Sequence, residues 1–147
     1  MRSLSPLALS AAIGCQPQTP RVIDITAVNY AFQVPRSVLP GPARLRLINA
    51  GTVPHEVQVF VFKPGISGDS GRALLNTMDR VPDSLADSSG AVLIAAPHTT
   101  APEEVYVDLQ PGRTYALLCQ FRDTPKAQRH DRLGMFGVLQ VAARKPA

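Results

Sequence analysis

Apolar and polar positions alternate with a period of two along much of the chain from Arg21 to Val141, in short runs separated by Pro, Gly, Asn and Ser. That period is the one imposed by a strand with one face buried. Val22, Ile23, Ile25, Val28, Tyr30 and Phe32 make the first run. Its phase shifts around Ala27 and Val28, as at a bulge or where one strand serves two sheets, and Pro35 closes it. Beyond the turn residues Leu39-Pro40-Gly41-Pro42, Arg44 to Asn49 reads as a half-buried strand. Ala50-Gly51-Thr52-Val53-Pro54 forms a loop. The next run places His55, Val57, Val59 and Val61 on one face and Glu56, Gln58, Phe60 and Phe62 on the other.

The alternation breaks down between Lys63 and Glu104. Within this forty-residue insertion the spacing predicts a short helix over Arg72 to Val81, with Leu74, Leu75, Met78 and Val81 on one face and Pro82 ending it. Ala91 to Ala96 is a short apolar run suited to an edge strand. The insertion is expected to pack on a flank of the fold or to cover one end. Order resumes with Val105 to Leu109, then a Pro111-Gly112 turn feeding Tyr115 to Cys119, and finally Phe136 to Val141. Pro-Gly followed by a Tyr at the next strand resembles the corner device of Greek-key sandwiches. Six or seven strands and one short helix result. Few aromatics, no Trp and many Gly and Pro agree with an all-β Greek-key sandwich or barrel.

With 147 residues the chain holds one domain and a leader. Residues 1–14 carry one positive charge, a short apolar stretch and small residues just before Cys15, the pattern of a bacterial lipoprotein signal peptide with Cys15 as the lipidated residue. Residues 15–20 then form a tether, residues 21–142 the domain and residues 143–147 a basic tail. The implied location is extracytoplasmic, periplasmic and anchored to the membrane by lipid. The formal charge of +4 is modest and scattered, which excludes nucleic acid as the expected partner. A monomer is expected.

Chemistry concentrates in Cys119 to Met135, where one loop carries a thiol, an imidazole (His130) and a thioether. His55 adds a second imidazole from far upstream. Taken singly, each has a bland alternative: Cys119 and Met135 as core residues, His55 and His130 as loop donors. Their order argues otherwise. His55 opens one strand, Cys119 closes another, and His130 and Met135 precede a third, so a sandwich with those ends at one pole gathers all four. Two His, one Cys and a weak axial Met form the ligand set of a blue-copper site.

The chain thereby resembles the cupredoxin family, the blue-copper domains that include plastocyanin and azurin. The resemblance rests on Asn49-Ala50-Gly51…Pro54-His55, on Leu109 to Cys119, and on His130…Gly134-Met135 before the last strand, and it covers roughly residues 21–142. It implies a cupredoxin-type sandwich, one type 1 copper held by His55, Cys119, His130 and Met135, and single-electron transfer rather than enzymatic turnover. Two features depart from the family pattern. Ten residues separate Cys119 from His130, a longer and so less rigid loop, and Glu56 stands where plastocyanin and azurin carry an Asn that ties the ligand loops.

Other classes find no support. His55-Glu56 has no second His at helical spacing, and no nucleophile elbow, phosphate loop or Cys-x-x-Cys pair is present. His98 reads as a solvated loop residue. Arg122, Lys126, Arg129 and Arg132 against Asp123 and Asp131 suggest a docking rim for an acidic redox partner. A copper-holding or copper-delivery protein, and a metal-free binding module, are the competing functions.

Overall fold

A computed structural model of the chain describes residues 19–144. The expected signal peptide, the expected lipidation site Cys15, most of the expected tether and the end of the tail lie outside the described residues.

Two sheets face each other. The first contains β1 (Arg21–Val28), β2 (Ala31–Gln33), β4 (Gly41–Asn49) and β7 (Val105–Leu109) in the order β2-β1-β4-β7. The second contains β3 (Ser37–Val38), β5 (His55–Phe62), β6 (Ala86–Ala95), β8 (Thr114–Leu118) and β9 (Phe136–Val141) in the order β3-β9-β8-β5-β6. β1 runs parallel to β4, and β8 lies between β5 and β9, antiparallel to both. Inward residues of both sheets, among them Ile25, Leu45, Leu47, Val57, Leu93, Leu109, Leu117 and Leu139, form the main core. The expected all-β sandwich is present.

The phase shift near Val28 proves to be neither a bulge nor a sheet crossing. The strand ends there, and Tyr30, in a left-handed conformation (φ 63°), turns the chain into β2, which pairs antiparallel with β1. The Tyr corner forms: the Tyr115 hydroxyl accepts a hydrogen bond from the Gln110 N–H at 3.1 Å.

The insertion packs on the outer face of the second sheet. Its helix, α1 (Gly68–Leu75), starts four residues earlier than the apolar spacing predicts, because Ser67 caps it and accepts from the Ser70 N–H at 3.1 Å. It ends before Val81, and Leu74 faces solvent while Leu75 is buried. Phe60, Phe62, Leu75, Leu85, Ala86, Ala116 and Leu118 make a second core beneath α1. For that reason β5 and β8 are covered on both faces, and all five β8 residues are buried. A Cβ on Gly71 would lie 2.2 Å from the Phe62 ring, so glycine permits this close approach. The apolar run from Ala91 falls in β6 as far as Ala95, and β6 is an edge strand as expected.

Candidate metal centre

The antiparallel order β5, β8, β9 decides where the site lies. The start of β5, the end of β8 and the start of β9 share one pole, so His55, Cys119 and Met135 meet there, each fully buried. The register is strict, since a one-residue slip would turn each side chain to the opposite face.

The loop before His55 is built on Asn49. Its Oδ1 accepts from the Gly51 N–H at 2.9 Å, and its Nδ2 donates to the Val53 carbonyl at 2.9 Å and to the Ala95 carbonyl at 3.1 Å. Gly51 is held against the imidazole: a Cβ there would sit 3.0 Å from His55 Nε2 and 2.5 Å from Asn29 Oδ1.

The Cys119–His130 loop is fastened at its neck. The Cys119 N–H donates to the Met135 carbonyl and the Asp131 N–H donates to the Cys119 carbonyl, at 3.3 and 2.7 Å. The His130 N–H reaches the Phe121 carbonyl at 2.8 Å, and the Met135 N–H the His130 carbonyl at 2.9 Å. A 3-10 turn, His130–Leu133, carries the imidazole and stops at Gly134 (φ 113°). The loose loop expected from its length is therefore pinned by backbone bonds on both sides of its ligands.

Three donors converge. His55 Nδ1 lies 3.2 Å from His130 Nδ1, and Cys119 Sγ lies 3.9 and 3.4 Å from them. All three ligand atoms fall within 4.8 Å of one another. Burial and the neighbouring His130 pull the His55 pKa down to about 4, so its nitrogen keeps a free lone pair at neutral pH. Burial pushes the Cys119 thiol up to about 11, against the weaker help of hydrogen bonds from the Glu56 and Phe121 backbones. Among the described residues, His55 Nε2 is buried without a hydrogen-bond partner. Two imidazole nitrogens thus face each other beside a buried sulfur, with three soft or borderline donor atoms turned to one point. This donor set fits a single type 1 copper ion, with Met135 beside it as the fully buried thioether.

Glu56 performs the tying expected of an Asn. Its Oε1 accepts from the Gln120 N–H and from Gln58 Nε2, both at 2.9 Å, and its own N–H points at Cys119 Sγ at 3.5 Å. Two further groups give no sequence signal at all. Asp123 Oδ1 lies 3.0 Å from His130 Nε2, and its Oδ2 accepts a short hydrogen bond from the Tyr30 hydroxyl.

The docking rim needs correction. Arg122 and Lys126 are exposed, but Arg129 and Arg132 turn inward. Arg129 makes a bidentate pair with Asp131 at 2.7 and 3.0 Å and reaches the Asp79 carbonyl. The Arg132 guanidinium takes the carbonyls of Leu75, the last residue of α1, and of Asn76 and Met78 just past it. Both cations are satisfied within the fold and fasten the ligand loop to the insertion. A groove of about 430 Å³ lined by Val53, Pro54, Phe121, Arg122 and Asp123 opens at the same pole. His98 is exposed and lies in a turn, away from the three donors.

Neither a family model nor a curated protein matches the sequence. Solved structures do. An auracyanin from the photosynthetic bacterium Roseiflexus castenholzii superposes with a TM-score of 0.52 at 21% identity, covering 85% of this chain and 99% of its own. Auracyanin A, a blue copper protein from Chloroflexus aurantiacus, gives 0.50 at 19% identity over 84% and 99%. A rusticyanin variant gives 0.52 at 16% identity over 86% and 80%. With two facing sheets in this order and the His-Cys-His-Met group at one pole, the chain is a cupredoxin in fold.

Proposed function

We propose that this protein is an exported mononuclear copper protein that carries single electrons between redox partners. The observation that carries the reading is the meeting of His55 Nδ1, His130 Nδ1 and Cys119 Sγ within 4.8 Å in a buried pole. His55, Cys119 and His130 would hold the ion, with Met135 as the weak axial ligand. Bound copper would supply a one-electron couple. The protein's share is to keep those donors in one place in both oxidation states. Asn49 shapes the loop before His55, Glu56 joins the Cys119 strand end to β5, and the backbone bonds at the loop neck fix His130 and Met135 relative to Cys119.

The groove at Val53, Pro54 and Phe121, lined also by Arg122 and Asp123, is the face that would meet a partner. With Arg129 and Arg132 engaged internally, only two loop cations remain to attract an acidic surface. Export and lipid anchoring through Cys15 rest on the leader sequence; loss of membrane association in Cys15→Ser tests the anchor. Among the described residues no helix is long and apolar enough to cross a membrane.

The test of the function is the visible spectrum after adding Cu(II) to residues 16–147. An intense thiolate-to-copper band, lost in Cys119→Ser, supports the electron carrier. Tight binding without that band, or binding of Cu(I) alone, would assign the site to copper holding or delivery.

A further inference from the structure

The two imidazoles are supported differently. His55 Nε2 is buried and has no hydrogen-bond partner among the described residues. His130 Nε2 faces Asp123 Oδ1 at 3.0 Å, and the other oxygen of the same carboxylate accepts from the Tyr30 hydroxyl. Tyr30 also sets its ring edge against His130, with centroids 5.0 Å apart and planes at 71°. It reaches both groups from the turn between β1 and β2, where its backbone adopts a left-handed conformation (φ 63°), uncommon for a residue with a side chain of this size. A tolerated backbone cost at this position is explained if the side chain has work at the site.

A carboxylate accepts from an N–H and cannot donate once ionised. Both oxygens of Asp123 are placed to accept, Oδ2 from the Tyr30 hydroxyl and Oδ1 from the facing His130 Nε2, so the carboxylate offers the imidazole an acceptor and no donor. The proton of a neutral His130 therefore resides on Nε2, leaving Nδ1 as a lone pair aimed at Cys119 Sγ and His55 Nδ1.

We propose that Asp123, oriented by Tyr30, is a positioning residue that fixes the His130 tautomer and strengthens this imidazole as a donor, favouring the more highly charged oxidation state of the metal. The proposal rests on the copper reading for its redox consequence, but its first element concerns the protein alone. A carboxylate behind a ligating imidazole raises its basicity, and removal of such a partner commonly costs about 10- to 100-fold in metal affinity. The loss falls more heavily on Cu(II) than on Cu(I), because the added negative charge interacts more strongly with the dication. No equivalent group backs His55, so the electronic asymmetry of the site is carried by His130.

The experiment has two arms. In metal-free protein, ring ¹⁵N chemical shifts of His130 report the tautomer: wild type is expected to show Nε2–H alone, Asp123→Ala a mixture, and Asp123→Asn, which keeps an acceptor oxygen, mainly Nε2–H. With copper, Asp123→Ala is expected to lose about tenfold or more of its Cu(II) affinity relative to Cu(I). A tenfold change in that ratio raises the one-electron potential by about 59 mV. Asp123→Asn should raise it as well, because the charge is gone while the hydrogen bond stays, and Tyr30→Phe should shift it in the same direction by less. Asp123 is exposed, so these variants leave the core intact. An unmixed tautomer in Asp123→Ala, or a Cu(II)/Cu(I) affinity ratio within twofold of wild type, overturns the proposal. Failure of the protein to bind copper at all would instead count against the function proposed above, and the tautomer arm would still decide the role of Asp123.

Discussion

Copper affinity should follow the Cys119 thiol across a pH range in which an ordinary cysteine would complete its titration. Burial places that thiol at about 11, whereas an unperturbed cysteine titrates near 8.5. At pH 7 the difference of four pH units corresponds to about 5 kcal/mol that metal binding must supply to remove the proton. From pH 8 to pH 10 the thiolate fraction of a group at 11 rises about 90-fold, while that of a group at 8.5 rises about fourfold. His55 contributes nothing to this range, because its charge change falls near pH 4. The dissociation constant for Cu(I), measured anaerobically against a chelator of known pH behaviour, is therefore expected to tighten by close to two orders of magnitude. Titrations in buffers of different ionisation enthalpy should count about one proton released per copper at pH 8. Cys119→Ser should lose that proton. A change of less than tenfold between pH 8 and pH 10 would show that the thiol is not held protonated by its surroundings.

Gly71→Ala should destabilise the protein by about 1–3 kcal/mol in chemical denaturation, despite alanine's better helix propensity, because the new methyl would lie within 2.3 Å of two Phe62 ring atoms; unchanged stability would mean that α1 can shift away from the sheet. Arg132→Ala removes the charged donor from three carbonyls at and just after the C-terminus of α1; a loss of about 1.5–3 kcal/mol and faster amide exchange in both 75–79 and 129–133 are expected, and exchange confined to one segment would deny the coupling. In metal-free protein, His55 is held below its unfolded value of 6.5, at about 4. The unfolded chain thus binds the extra proton first as pH falls, and stability present above 6.5 should decline between 6.5 and 4 by up to ~3 kcal/mol, read as a falling urea midpoint that His55→Asn flattens.

The sandwich was legible because strand periodicity is a local property and the turn chemistry at Pro40-Gly41 and Pro111-Gly112 is local too. The ligand quartet was legible because it lies at strand ends whose order along the chain implies a shared pole. Ser67 is a recognisable helix cap, but the apolar face at Leu74 and Met78 drew the expected helix four residues downstream, since periodicity cannot tell which leucine meets a neighbouring sheet. Asp123 and Tyr30 were invisible for a different reason. They lie 93 residues apart and meet only through the hairpin turn at Tyr30. Arg129 and Arg132 read as surface charge because composition records a guanidinium but not the carbonyls that occupy it.

The neck of the ligand loop also determines where this chain can change length. Both backbone groups of Cys119 are bonded to residues beyond the loop, to Met135 and to Asp131, and His130 is bonded back to Phe121. The segment between Phe121 and His130 is therefore an excursion that leaves and returns through a closed gate, in the manner of an Ω-loop. Doubling such an excursion costs only about 0.6 kcal/mol of closure entropy, and none of that cost has to be met by distorting the metal donors. Residues 124–128, which contribute no donor, are where insertions and deletions can accumulate while the ligand geometry is inherited unchanged.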